Sequence, residues 1–264
     1  MTNSTDIIKY TGGELLETQD AVIKEHRANI FVNGEPYVSL MCLPQFFEEL
    51  AVGFLYSEQV INSYEDILEI QSTCTGNVFV DVKAKDIKKS KNRVIVSGCA
   101  QGSVNMSFLN EENLMEITSP VKVNPQDIIK MMSDFSRQSP LFKDTGGVHS
   151  SVLVLPEDCG DGFQGSLFFE DIGRHNAIDK IVGKALINGI SVSDGILLTS
   201  GRISSEILIK TAKLNIPVLV SHSAPTEMAV EIARRVNMTL IGFARGKRFN
   251  VYSGGARVNL EAEY

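Results

Sequence analysis

The 264-residue chain contains no tryptophan, and its four cysteines lie far apart at Cys42, Cys74, Cys99 and Cys159. No two form a C-x-x-C pair, and no histidine stands at metal-ligand spacing from them. That scatter argues against a disulfide framework and against a structural zinc site, and leaves reduced cytosolic thiols as the reading. Long apolar runs are also missing: nothing approaches the roughly 18 unbroken apolar residues of a membrane span. The start, Met1 to Asp6, has neither a cationic head nor an apolar core, so no secretory signal is expected. Positive charge is scarce as well. With 25 Lys and Arg against 32 Asp and Glu the net charge is -7, which disfavours a general nucleic-acid or membrane-surface binder. Any anionic ligand must then be caught by a local basic pocket. There is no internal repeat and no low-complexity tract.

What is present divides into two rhythms. In the first, Ala21 to Val32 and Glu35 to Cys42 read as strands joined by Asn33-Gly34, a strong hairpin signal. Phe46, Phe47, Leu50, Ala51, Phe54 and Leu55 recur at three and four, which predicts an amphipathic helix. Weaker strands are expected from Gly76 to Val82 and from Arg93 to Val96. The second strand ends at Ser97-Gly98-Cys99-Ala100-Gln101-Gly102-Ser103, a lone cysteine held between glycines. Glycine leaves the surrounding surface bare, and a thiol on such a turn can be reached by something large. A packing cysteine more often sits inside an apolar run, as Cys42 does. Cys99 is therefore the candidate for chemistry. Cys159 stands in an acidic loop that disfavours thiolate, and the sequence leaves Cys74 undecided.

From about Pro120 a second rhythm begins. Asn124 to Asp127 reads as a helix start, with Ile128, Ile129, Met131, Met132 and Phe135 on its buried face. Strands are then expected over Ser150–Leu155, Ser166–Glu170, Gly195–Thr199, Val218–Ser221, Thr239–Ala244 and Arg248–Tyr252. Helices are expected over Asn176–Ile187, Ser204–Leu214 and Ala224–Val236. This alternation predicts an α/β sheet with helices packed on it, behind a mixed α+β first half. The boundary falls between Asn110 and Pro125, dividing the chain into 1–118 and 119–264, although the last strand could return to the first domain.

Polar clusters stand near the strand ends of the second half. They are Asp144 to His149, Asp171 to Asn176 with Arg174 and His175, Thr199 to Arg202, and Ser221 to Thr226. A fifth, Phe243-Ala244-Arg245-Gly246-Lys247-Arg248, sets three cations around a glycine and is the favoured phosphate site. Singly, each cluster also reads as ordinary turn and cap residues. Together, Arg174, Arg202 and Arg245 each follow a strand end, so one surface could gather cations and helix N-termini around a polyphosphate. That inference fails if the strands alternate in direction.

The same residues carry a resemblance. Thr145-Gly-Gly-Val-His149, Glu170-Asp-Ile-Gly-Arg-His-Asn-Ala-Ile-Asp-Lys180, Leu198-Thr-Ser-Gly-Arg202, Pro217-Val-Leu-Val-Ser221, Ser223-Ala-Pro-Thr226 and Gly242-Phe-Ala-Arg-Gly246 are similar to the formate dehydrogenase accessory sulfurtransferase family, FdhD. The early helix Glu49-Leu-Ala-Val-Gly-Phe-Leu-Tyr-Ser-Glu58 matches it too. The resemblance implies a cytoplasmic homodimer that takes sulfur from a cysteine desulfurase as a persulfide. It implies transfer of that sulfur to the molybdenum cofactor, Mo-bis(molybdopterin guanine dinucleotide), for formate dehydrogenase. It further implies a cytidine-deaminase-like α/β fold for the C-terminal half, without the deaminase zinc motif. By position, Cys99 matches the persulfide-bearing cysteine, and Phe243 through Arg248 match the cofactor-binding stretch. Many members read C-G-x-C where this chain has Cys99-Ala100-Gln101-Gly102, without the second cysteine. Accepting a sulfur atom needs only one thiolate. The competing reading is a non-covalent carrier of the same cofactor. A zinc deaminase is the distant third, since no H-x-E followed by P-C-x-x-C exists here.

Overall fold

A computed structural model describes residues 1–84, 114–155 and 166–259, together with the backbone of 93–95. The cysteine segment around Cys99 and the loop carrying Cys159 lie outside the described residues.

The first half opens with two long strands, β1 (Thr2–Thr11) and β2 (Glu14–Ile23). They pair antiparallel around Gly12 and Gly13, whose φ values of 60° and 93° make the tight turn possible. A separate five-stranded sheet has the order β5-β6-β3-β4-β7. Its members are β3 (His26–Val32), β4 (Glu35–Cys42), β5 (Ile67–Ser72), β6 (Asn77–Val82) and β7 (Arg93–Ile95). The predicted strand from Ala21 to Val32 is thus two strands in two sheets, broken at Lys24-Glu25. The Asn33-Gly34 hairpin forms as expected, with positive φ of 50° and 78° at its two central residues. Helix α1 (Phe47–Ser57) lays Leu50, Phe54 and Leu55 on this sheet against Ile30, Leu40, Val78 and Val80. Each such side chain contributes about 1.5–3 kcal/mol when fully buried.

The second half is a six-stranded sheet of order β13-β12-β11-β10-β8-β9 with helices on both faces. Its strands are β8 (His149–Val154), β9 (Leu167–Asp171), β10 (Ile196–Thr199), β11 (Val218–Ser221), β12 (Thr239–Arg245) and β13 (Arg248–Ser253). The helices are α2 (Pro125–Gln138), α3 (Pro140–Thr145), α4 (Arg174–Ile187), α5 (Ser205–Lys213) and α6 (Glu227–Arg235). Leu153, Leu197, Leu219 and Leu240 face one layer, where α4, α5 and α6 supply Ile178, Ile207 and Ile232. Their neighbours Val152, Leu198, Val220 and Ile241 face the other, where α2 supplies Ile128, Met132 and Phe135. Burial on both faces explains why these strands read as unbroken apolar runs rather than as alternating ones. The last strand does not return to the first half, because β13 pairs antiparallel with β12.

Strand direction decides where a site can form. Strands β10, β11 and β12 are mutually parallel, and β8 is antiparallel to both β9 and β10. Hence β9, β10, β11 and β12 all end at one edge of the sheet, where β8 and β13 begin.

The two halves meet through glycine. At Gly53 of α1 a Cβ would stand 1.8 Å from the carbonyl oxygen of Asp179, and at Gly183 of α4 one would stand 1.9 Å from that of Glu49. The helices therefore cross backbone on backbone. Asp171 reinforces this junction. Its Oδ2 accepts from Leu43 N at 3.1 Å, and its Oδ1 accepts from Asn176 Nδ2 at 2.8 Å. The same Asn176 amide donates to Met41 O at 2.8 Å.

Candidate functional site

At the edge where the four strands end lies a cavity of about 560 Å³. Ser200 follows β10, His222 and Ser223 follow β11, Arg245 closes β12, and His149 opens β8; all of them line it. Phe135 and Ser136 from α2 form one wall, and Gly146 and Gly147 form part of the rim. A second cavity of about 230 Å³ adjoins it, lined by Arg137, Ala244, Gly246, Arg248 and Phe249 among others. Ser136, His222 and Arg245 border both cavities and so form the wall between them.

Local backbone chemistry places these groups. The register between β12 and β13 shifts between Gly242 and Arg245, and Phe243 takes a left-handed φ of 53° within that irregularity. Phe243 N donates to Ser223 O at 3.1 Å, so the bulge is tied to the loop after β11. Gly242 has no room for a side chain: a Cβ would stand 3.0 Å from Pro225 Cδ and 3.1 Å from Ser223 O. Arg245 donates from Nε to His222 O at 2.8 Å, which leaves the outer end of its guanidinium for a ligand. Gly246, with φ 58°, and Lys247 then make the turn that leads to Arg248.

The strand-end loops are cross-linked by serines. Ser221 donates from Oγ to Gly201 O at 2.7 Å, and Ser223 Oγ donates to Ser200 O at 3.0 Å. Ser200 Oγ accepts from Ser150 N at 3.0 Å and lies 3.2 Å from His149 Nδ1. Burial lowers the proton affinity of His149, and Arg174 and His175 nearby lower it further. Burial lowers that of His222 too, opposed by its bond to Ala244 O and supported by Arg245. Around neutrality the positive charge of this edge therefore resides on its arginines and Lys247 rather than on histidine.

The favoured residues divide into two groups. Ala244, Arg245, Gly246 and Arg248 come together around the smaller cavity, with Arg245 also reaching the larger one. Phe243 and Lys247 are exposed beside it. Arg174, His175 and Arg202 stand at the same sheet edge but border neither cavity. Arg174 passes over Gly201, where a Cβ would lie 2.9 Å from its own Cβ. His175 faces Glu206, with Nε2 3.2 Å from Oε2. The carboxylate at the start of α4 is the chain's own, since Asp171 Oδ1 accepts from Gly173 N at 3.1 Å. Arg202 is exposed.

Several lining residues were not singled out from the sequence. His149, Ser200 and His222 belong to strand-end clusters and read equally well as caps. Phe135 was legible only as part of a buried helix face, and Ser136 carried no signal at all. Cys42 is buried at the end of β4, and its thiol is pushed up to about 12, mainly by burial and then by the Asp171 carboxylate. Cys74 is exposed. Among the described residues no helix is long and apolar enough to cross a membrane.

Fold and edge together define a two-part α/β protein whose pocket, of mixed polar and apolar lining, is built at the shared carboxyl end of four strands. The sequence model of the FdhD/NarQ family matches residues 23–259, and the chain belongs to that family. The sulfur carrier protein FdhD of Bacillus subtilis is 38% identical over 257 residues, covering 96% of each chain. That of Wolinella succinogenes is 38% identical over 254 residues, covering 94% of this chain and 86% of its own. A crystal structure assigned to a formate dehydrogenase accessory protein of Desulfotalea psychrophila matches with a TM-score of 0.79 at 25% identity, covering 98% of this chain and 99% of that one.

Proposed function

We propose that this chain is a sulfurtransferase that carries sulfur to the molybdenum cofactor of formate dehydrogenase. The thiolate of Cys99 attacks the outer sulfur of a cysteine desulfurase persulfide, and the desulfurase thiol departs. Cys99 then holds the terminal sulfur for onward transfer. The cofactor, in its bis-guanine-dinucleotide form, is the substrate. It would be held at the shared strand edge, with its phosphates against Arg245 and Arg248.

The observation that supports this most is the common direction of β9 to β12, which brings Arg245 and two adjoining cavities to one place. The family's curated members bear the name sulfur carrier, which agrees with the thiol's proposed role. The test is the intact mass of the protein after incubation with a desulfurase and cysteine. One added sulfur, about 32 Da, is expected on the peptide containing Cys99 and is absent in Cys99→Ala.

A non-covalent carrier is the second reading, favoured by the missing partner cysteine at Gly102. It prevails if Cys99→Ala still yields active formate dehydrogenase. Arg245→Ala is expected to weaken guanosine diphosphate binding about tenfold or more, the loss of one charge-assisted contact of about 1.5–3 kcal/mol. Unchanged affinity by calorimetry removes that arginine from the site.

A further inference from the structure

With His222 neutral, its ring and the Met132 carbonyl compete for the single hydroxyl hydrogen of Ser136. Its Nδ1 lies 2.8 Å from the carbonyl oxygen of Ala244, which can only accept, so Nδ1 carries a proton. Its Nε2 lies 3.0 Å from Ser136 Oγ. Ser136 Oγ in turn lies 2.7 Å from Met132 O, again a pure acceptor, and must donate there. The serine has one hydrogen, and it is committed to Met132. Nε2 then bonds to Ser136 only by donating a proton of its own. All three contacts are satisfied together when the ring carries two protons and a positive charge. In the neutral ring, Ser136 must either turn its hydrogen to Nε2, leaving two acceptors 2.7 Å apart at Met132, or give up the histidine.

We propose that His222 takes up a proton when a phosphate-bearing ligand binds against Arg245, so that affinity for the ligand rises as pH falls. This rests on the nucleotide reading of the same edge. The ring stacks on Phe135, with centroids 5.7 Å apart at 21°, and forms part of the wall between the two cavities. Both ring nitrogens are spent on the protein, so the ring acts by its charge and by fixing the wall.

The charged groups facing it are all of one sign or already paired. Arg245 comes from β12, Arg248 from β13, and His149 stands across the larger cavity on β8. Arg137 of α2 is paired with Asp134 at 2.5 Å. Among the described residues no carboxylate lines either cavity. Burial and Arg245 hold the ring toward its neutral form, against the pull of Ala244 O. An incoming phosphate supplies the counter-charge that the protein withholds, and the hydrogen bonds needed by the cation are already in place.

The chain has only four histidines, so their ring protons can be followed individually by NMR titration. With saturating guanosine diphosphate, the midpoint of His222 is expected to rise by about one pH unit, equivalent to about tenfold in affinity between its two forms. By calorimetry, binding by the native protein should tighten several-fold from pH 8 to 5.5, with about tenfold as the ceiling set by the one-unit rise, beyond what the ligand phosphate, which itself titrates near pH 6, contributes. Glutamine cannot take a proton, so His222→Gln should lose that extra slope and keep only what the ligand and His149 contribute. Binding with an unmoved His222 midpoint, or an unchanged slope in the variant, overturns the proton uptake and leaves the nucleotide reading standing. No binding at any pH overturns both.

Discussion

Lys180 donates from Nζ to Asp171 Oδ2 at 2.6 Å, and neither side chain is accessible to water. The pair lies beneath the strand edge, where Asp171 also gathers amide donors from both halves of the chain. A buried ion pair is weak evidence of net stabilisation, but removing one partner leaves an uncompensated charge. Lys180→Met is expected to lower unfolding stability by about 3–5 kcal/mol, read as a shift in the urea midpoint. A loss below about 1 kcal/mol would mean that the amide donors alone satisfy the carboxylate.

The helix crossing offers a steric test. Gly183→Ala places a methyl group 1.9 Å from the Glu49 carbonyl oxygen, and the obstacle is backbone on a rigid helix. The expected cost reaches or exceeds the upper end of the usual 1–3 kcal/mol for overpacking. Thermal melting should show this, whereas Gly189→Ala tests the reverse situation. No atom lies within 4 Å there, and the φ of 63° leaves only the backbone strain of about 1–2 kcal/mol.

Thiol labelling separates the described cysteines. With its thiol pushed up to about 12 and no exposure, Cys42 should resist iodoacetamide in the folded protein at pH 8. Cys74 is exposed and should react. The proton on Cys42 is held more tightly when folded than when unfolded. Its contribution to stability is therefore complete below the unfolded thiol value of about 8.5 and declines as pH rises from there toward 12.

Glu170 gives a pH test of the same sense in a lower pH range. Burial raises its carboxyl above the ordinary value, and Ser139, Ser150 and Lys180 only partly offset this. A raised folded value means the stabilising contribution is present below the unfolded value of about 4.3 and lost as pH climbs through the folded one. Glu170→Gln should therefore gain stability relative to the native protein between pH 4 and 7.5. Parallel denaturation curves at the two pH values check it; a constant difference would refute the shift.

Most of the second sheet was legible because β10, β11 and β12 are buried on both faces and stand out as short apolar runs between helical patterns. The Asn33-Gly34 turn was legible because two positive φ values leave few residue choices. The β1–β2 hairpin was not. Ile8, Tyr10 and Leu15 are 67%, 70% and 71% exposed, so no buried face imposes an alternation. Strand β5, with mostly exposed residues, escaped for the same reason. Within the site, Arg245 stood out as a cation beside glycine in an acidic chain. The serines and His222 did not, because a serine after a strand caps a helix far more often than it braces a pocket. The motif from Glu170 to Lys180 proved largely internal: Asp171, Asn176 and Lys180 hold the halves together beneath the site.

A strand of four residues such as β11 spans only about 13 Å. Yet its two ends face different duties: one delivers His222 to the pocket, while the other receives the chain from α5. Fluorophores, affinity handles or surface tethers attached near Asn188, Asn215 or Asn237, where the helices hand over to the sheet, would leave the working end clear. The molecule can thus be held by one rim while the opposite rim is interrogated.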